Sequence, residues 1–421
     1  MAEIKNLKKA ANRIKKAIRN NERIILYGDA DLDGVSSVII LKETLKNLDS
    51  GEIAIYFPDR EIEGYGITKD GLNSLTKFAP ALLIAFDLGI GNFREVKLAR
   101  KLGLEVVIID HHEVLDKLPE AEIIVDPKQK GDRYPFKGLA TAGIVFKLSE
   151  ILLAERMTEN FTRQNFARQN LGGLRKSFLE LVALATIADM MPQDNDNKIF
   201  IEAGLSSLEN SWRPGLKVFS RIVDETAAVS PPRRCARVNE TKNYRNNKEL
   251  SQKIISALNV TDFQKNHLNE TYLLLTLSSF EEAEILAKNL IEKSYQRQEK
   301  IREITREAEE RVLKKISDTI VFEGDELWPL TLSGAVASRI CRLYKKPTFI
   351  FNKQNSESVG AVRTPSEINS VALMKKCKKY LINYGGHPQA SGFRIKNENL
   401  EKFKQCLLRN TKSVRIYEKR E

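Results

Sequence analysis

The chain has 421 residues, 68 Lys and Arg against 56 Asp and Glu, and a formal net charge of +12. That length suits two domains and excludes a third large one; 42% hydrophobic against 29% charged residues is a globular balance, and no apolar run reaches the roughly 18 residues a membrane span needs. The positive excess favours a polyanionic partner, because each Lys or Arg that neutralises a phosphate releases condensed counterions, although a merely lysine-rich surface gives the same sum.

Residues 1–20, MAEIKNLKKAANRIKKAIRN, read as a basic amphipathic helix without the apolar core and small-residue cleavage site of a signal peptide, so a cytoplasmic protein is expected. Aliphatic runs follow at 23–28 (RIILYG), 52–57 (EIAIYF), 81–86 (ALLIAF), 104–109 (LEVVII) and 122–125 (EIIV). They are nearly continuous rather than alternating, as strands buried on both faces of a parallel sheet should be. Helix-period segments such as 35–47 and 92–102 lie between them. The series is βαβ, and it predicts a doubly wound, mostly parallel α/β domain.

Ligands of such sheets bind outside the carboxyl ends of the strands. Acidic residues and histidines fall there: Asp29, Asp31 and Asp33 after the first strand, Asp87 after the third, and Asp110, His111 and His112 after the fourth. A lone Asp at a strand end is most often a helix cap or turn former. GDADLDG alone could pass for a calcium loop, but the twelfth-position Glu is missing and Ser37, Val38 and Ile39 continue into a helix. Several carboxylates at one sheet edge repel one another unless a cation neutralises them. Carboxylates mixed with imidazole suit Mn²⁺ and similar ions, and their spread over several loops suits two ions sharing a bridging ligand. Of four histidines, His111, His112 and His387 stand in motif-like contexts and His267 does not.

Residues 281–316 keep apolar residues at helical spacing amid alternating charge, without the strict heptad of a coiled-coil dimer arm, which predicts one long helix. Beyond it, 319–324 (TIVFEG) and 347–352 (PTFIFN) read as strands and 333–346 as a basic helix. The four cysteines, Cys235, Cys341, Cys377 and Cys406, are scattered, which argues against a zinc knuckle and a disulfide framework; four reduced thiols are expected. The polar, basic stretch 231–253 reads as a flexible surface insertion.

In order, DADLDG, FDLGI, IDHHE and ATIADMMP resemble the four motifs of the DHH phosphoesterase superfamily, and GGHPQASGF (385–393) resembles its carboxy-terminal DHHA1 domain. PDREIEGYGI (58–67), the stretch 126–148 and RPGLK (213–217) are similar to its RecJ branch of exonucleases specific for single-stranded DNA. The resemblance implies a DHH domain over 1–225, an insertion and connector over 226–316, and a smaller α/β DHHA1 domain over 317–421. It implies Asp31, Asp33, Asp87, His111 and Asp189 as ligands of two divalent ions, Mn²⁺ ahead of Mg²⁺, with Asp87 bridging. Asp29 and Asp110 either ligate or orient ligands, and His112 lies near the scissile phosphate or is a further ligand. Arg60, Arg363, Gly385, Gly386 and His387 are implied as substrate-phosphate contacts.

Some positions depart from the pattern. Tyr27 stands where some relatives have histidine, so the first ion lacks an imidazole; Ala361 stands where a serine is common; and 258–267 lacks the glycine and arginine of a family element. Many members continue into an OB-fold, whereas this sequence reads as a catalytic core. The resemblance implies a 5′ to 3′ exonuclease acting in DNA repair and recombination. Its partner would be single-stranded nucleic acid, DNA ahead of RNA, with a single-strand-binding or helicase protein as a further partner and no membrane. The alternatives are an oligonucleotidase acting on short RNA or dinucleotides, and a non-catalytic replication scaffold similar to Cdc45.

Overall fold

A computed structural model describes residues 3–114, 117–159, 166–228, 240–260, 269–315 and 317–417. The chain divides into two compact units, residues 1–294 and 295–421.

In the first unit the order is α1 (Leu7–Arg19), β1 (Arg23–Gly28), α2 (Leu32–Asn47), β2 (Ile53–Tyr56), α3 (Lys69–Leu75), β3 (Ala81–Phe86), α4 (Phe93–Lys101), β4 (Leu104–Ile109), β5 (Ile123–Val125), then helices α5 (Thr141–Glu159), α6 (Phe166–Ala188), α7 (Asn195–Ser207), α8 (Pro214–Ala228), α9 (Glu240–Leu258) and α10 (Glu270–Thr276). Helix α11 (Phe280–Leu313) carries residues of both units. The sheet is parallel throughout, in the order β2-β1-β3-β4-β5. Successive strand residues face opposite sides. Ile24, Leu26, Leu82, Ile84, Val107 and Ile109 join a large core with α1, α2, α5 and α6, while Ile25, Tyr27, Leu83, Ala85, Val106 and Ile108 join a smaller one with α3 and α4. Burial on both faces explains why these strands were visible as unbroken aliphatic runs.

Helix α2 begins at Leu32, three residues before the apolar periodicity starts, because the Asp31 side chain caps it by accepting from the backbone N–H of Asp33 and Gly34. Gly34 is required there: a β-carbon would fall 2.3 Å from the Asp29 carbonyl oxygen, so only glycine lets the helix start so close to the end of β1.

The second unit contains β6 (Val321–Asp325), α12 (Leu330–Tyr344), β7 (Thr348–Lys353), β8 (Glu357–Arg363), α13 (Ser370–Lys375), β9 (Leu381–Gly386), β10 (Ala390–Lys396) and α14 (Leu400–Tyr417). Its sheet runs β6-β7-β8-β10-β9, parallel only between β6 and β7, the pair joined by the α12 crossover. Phe322, Phe349, Phe351, Phe393 and Phe403 form its aromatic core.

Two expectations are corrected. Cys377 and Cys406 are joined by a disulfide between the end of α13 and α14, so they are not reduced thiols; Cys341 is free and buried, and Cys235 lies outside the described residues. The stretch 231–253 is not all loop either: from Glu240 it is α9, with Leu250, Ser251 and Ile254 buried, while 231–239 lie outside the described residues. Among the described residues no helix is long and apolar enough to cross a membrane.

Candidate metal centre

The site grows from the sheet's own register. Gly28, Phe86, Ile109 and Val125 are the last residues of neighbouring strands. The next residues continue the ladder by one step, Asp29 N–H donating to Phe86 O, Asp87 N–H to Ile109 O, and Asp110 N–H to Val125 O. Asp29, Asp87 and Asp110 therefore stand side by side, about one strand spacing apart, roughly 4.8 Å. Asp87 adopts φ 62°, a left-handed backbone that Asp tolerates better than most residues.

Asp87 is the centre of three groupings whose candidate donor atoms lie within 4.8 Å of one another: Asp33–Asp87–His111, Asp29–Asp31–Asp87, and Asp87–Asp110–His112. In the first, His111 Nε2 is 3.1 Å from Asp87 Oδ1, 3.8 Å from Asp33 Oδ2 and 3.4 Å from Asp189 Oδ2. His111 Nδ1 lies 3.0 Å from the Leu139 carbonyl, which can only accept, so Nδ1 carries the proton and Nε2 turns its lone pair toward the three carboxylates. Burial, then the charge of His112, push His111 down to about 3, so it is neutral. Burial, then the neighbouring carboxylates, lift Asp33 and Asp87 well above the usual range. Three carboxylates face the acceptor nitrogen of a neutral imidazole. The donor set fits a divalent cation, which would supply the positive charge that the cluster lacks.

On the other side a protein cation is already present. Arg60 Nε donates to Asp29 Oδ1 at 2.9 Å, and its Nη2 lies 2.8 Å from both Asp29 Oδ2 and Asp31 Oδ2. Burial alone would raise Asp31; Arg60 outweighs it and holds the carboxyl below its ordinary value, while burial dominates at Asp29 and raises it. Tyr27 packs in the smaller core, its hydroxyl bonded to Thr68 and its ring against Tyr56.

The third grouping is a charge pair. His112 Nδ1 donates to Asp110 Oδ1 at 2.7 Å. Burial opposes the imidazolium, but Asp110 outweighs it and raises His112 to about 9; burial likewise opposes the Asp110 charge, and His112 holds that carboxyl far below its ordinary value. His112 is thus a cation at neutral pH and His111 is not.

A model of the DHH family N-terminal domain matches residues 23–186, and a DHHA1 domain model matches 304–412. The chain belongs to the DHH–DHHA1 superfamily. It is 32% identical to the single-stranded-DNA-specific exonuclease RecJ of Bacillus subtilis, over 94% of this chain and 47% of that protein, so it spans about half the relative's length. The fold matches a crystal structure of exonuclease RecJ bound to manganese, with TM-score 0.70 and 23% identity over 97% of this chain and 95% of that one. It also matches RecJ in complex with Mn²⁺ from Thermus thermophilus, with TM-score 0.74 and 22% identity over 97% and 55%.

In the DHHA1 unit, Arg363 ends β8 opposite Ala390, and Gly385 and Gly386 end β9. Arg363 donates to Ser338 Oγ at 3.1 Å and to its neighbour's carbonyl, Val362 O, at 2.9 Å. Gly386 has φ 127° and no room for a β-carbon, which would come 2.7 Å from Ala390 O; Gly385 has open space at that position. His387 N–H donates to Ala390 O at 2.8 Å, closing a tight turn that Ser370 Oγ bonds from α13. The strand ends thus bring Arg363, Gly385, Gly386 and His387 into one corner of this unit.

Two buried residues of the DHH unit escaped the sequence reading. Thr141, first residue of α5, donates its hydroxyl to Asp87 Oδ1 at 3.1 Å, and the N–H groups of Thr141 and Ala142 donate to Asp33 Oδ2 and Oδ1, both at 2.8 Å. The helix N-terminus thereby holds one carboxylate with two backbone donors. Asn269 donates to Ala30 O at 2.8 Å, pinning the loop between Asp29 and Asp31, while its Oδ1 caps α10. The only local signal was a threonine and an asparagine at helix starts, which by themselves mean caps.

Proposed function

We propose that the chain is a metal-dependent exonuclease that degrades single-stranded DNA from the 5′ end during repair and recombination, with catalysis in 1–225 and substrate contacts from 317–421. The observation that carries this is the convergence of Asp33, Asp87 and His111 on one point, with Asp189 Oδ2 3.4 Å from His111 Nε2, and of Asp29, Asp31 and Asp87 on a second. Asp87 belongs to both, as a bridging carboxylate must. Sequence similarity to RecJ along nearly the whole chain supports the substrate class. Two divalent ions, Mn²⁺ ahead of Mg²⁺, would activate water and neutralise charge on the scissile phosphodiester when held there.

The chain's own residues do the rest. Thr141 and the start of α5 fix the directions of the Asp87 and Asp33 oxygens, and the Leu139 carbonyl fixes the tautomer of His111. His112, cationic through Asp110, offers a charged N–H to a phosphoryl oxygen and has no capacity to act as a base while it keeps that proton. Arg363 and the Gly385–His387 turn supply a cation and backbone for a second phosphate.

The test is a time course with Mn²⁺ on a long, 5′-phosphorylated, 3′-labelled single strand beside a labelled RNA trimer. A ladder of shortening labelled products with little trimer cleavage is expected. Rapid trimer hydrolysis with the long strand intact would replace the proposal with an oligonucleotidase, and no hydrolysis of either would reduce it to a scaffold.

A further inference from the structure

The two sides of the candidate metal centre differ in what they already contain. Asp33 and Asp87 accept hydrogen bonds from two backbone N–H groups and a hydroxyl, all of them neutral donors, and His112 Nδ1, bonded to Asp110, stays 3.9 Å from Asp87 Oδ1, whereas Asp29 and Asp31 share the guanidinium of Arg60 through one Nε contact and two Nη2 contacts of 2.8–2.9 Å. This is not a loose surface pair. Arg60 is 13% exposed and its guanidinium lies 4.9 Å from the centre of the Tyr65 ring. The segment that carries it is fastened by Glu63, which accepts from Asp59 N–H at 2.9 Å, Tyr56 OH at 2.9 Å and Thr68 Oγ1 at 2.5 Å.

The guanidinium and a divalent ion compete for the negative charge of the same oxygens, Asp29 Oδ1, Asp29 Oδ2 and Asp31 Oδ2. One carboxylate oxygen from each of Asp29, Asp31 and Asp87 lies within 4.8 Å of the other two, the spacing that lets them hold an ion, and Arg60 contacts two of the three groups. The Tyr27 hydroxyl is bonded to Thr68, the residue that also holds Glu63 of the Arg60 segment, and adds no imidazole donor to offset that competition. We infer that Arg60 is the resident cation of the Asp29–Asp31 pair, and that a second divalent ion enters this side only by displacing it. The ions therefore load in sequence: the first at Asp33–Asp87–His111–Asp189, the second in exchange for Arg60. This rests on the two-ion reading above and adds an order and a gatekeeper to it. The displaced guanidinium is a planar fork of donors that fits a phosphate as well as it fits carboxylates, so loading the second ion frees a phosphate ligand at the same moment.

Mn²⁺ titration of the full chain, followed by calorimetry and by the electron paramagnetic resonance of free Mn²⁺, tests the order without any turnover. Wild type should show one tight site and a second weaker by roughly tenfold or more, because the ion must break a partly buried ion pair. Arg60→Gln should tighten the second site by roughly the same factor and leave the first unchanged. A merely structural arginine would do the reverse, since its loss would loosen both. Arg60→Lys, which keeps the charge that two carboxylates need for folding but loses the fork, should tighten the second site by less, and it decides the matter if the Gln variant does not fold. Two equal sites in wild type, or an unchanged or weaker second site in the variants, would overturn the inference. No Mn²⁺ bound by wild type or variant would instead overturn the metal reading on which it rests.

Discussion

Asp87→Asn separates the electrostatic account of the site from a simpler one in which Asp87 only supports the fold. The Asp87 carboxylate is 3% exposed and belongs to all three donor groupings within the DHH unit. Burial, and then Asp33, Asp31, Asp189 and Asp29, hold it well above the usual carboxylate range. Asn keeps the shape, keeps an oxygen to accept from Thr141 and tolerates the left-handed backbone at φ 62°, so only the charge is removed. In EDTA the variant should therefore melt at or above wild type, since a repulsive buried charge is gone. Mn²⁺ reverses the order. An ion present at a hundred times its Kd adds about 2.7 kcal/mol to the state that binds it, and at roughly 2 °C per kcal/mol for a unit of this size that is about 5 °C. Wild type should gain that shift and the variant less than half of it, as followed by circular dichroism in EDTA and in Mn²⁺. A variant that melts below wild type in EDTA yet keeps the full Mn²⁺ shift would refute the reasoning.

Thr141→Val removes the hydroxyl on Asp87 at nearly constant volume, and loss of such a support should weaken Mn²⁺ binding about 10- to 100-fold by calorimetry while the EDTA melt stays near wild type. Arg213→Met breaks a buried fork on Glu43, with contacts of 2.8 and 2.6 Å, together with bonds to Ser177 Oγ and Leu275 O, and should cost about 3–5 kcal/mol in urea unfolding. Asp126, fully buried, is raised to about 8 by burial and then by Asp110. A carboxyl whose folded pKa is raised stabilises below its ordinary range near 4 and loses that contribution as pH climbs to 8. Asp126→Asn should therefore exceed wild type in melting temperature at pH 8 and lose the advantage at pH 4; a constant difference across that range would contradict the assignment.

The sequence showed the first sheet well because each strand has to be apolar on two faces, and it showed the acidic cluster because Asp29, Asp87 and Asp110 follow those strands without a gap. Little of the second sheet was legible beyond its first two strands. β8 and β9, with ESVGAVR and LINYGG, show neither alternation nor an aliphatic run, and β10, ASGFRIK, buries alternate residues but shows that pattern in sequence only over Phe393–Lys396. The bonds that aim the ligands were illegible for a different reason. Thr141 reaches Asp87 across 54 residues and Asn269 reaches Ala30 across 239, and no local pattern encodes a pairing made by tertiary folding. The disulfide was missed on the same ground, since Cys377 and Cys406 are 29 residues apart and meet only when α14 folds back on α13.

The residues that support the cluster also show where its demand for positive charge is unmet. Two backbone N–H groups and a hydroxyl on Asp33 and Asp87 fix where the oxygens point, but they are dipoles, and these carboxyls stay well above the usual range in spite of them. Where the chain supplies a whole charge the outcome changes sign: His112 brings Asp110 down and Arg60 brings Asp31 down, against burial in each case. Hydrogen bonds therefore provide orientation and full charges provide neutralisation. Asp33 has the first without the second, Asp87 has the His112 cation only at 3.9 Å and shared with Asp110, and the neutral His111 beside them adds a lone pair rather than a charge. A cation from outside the chain is the component that completes that half of the site.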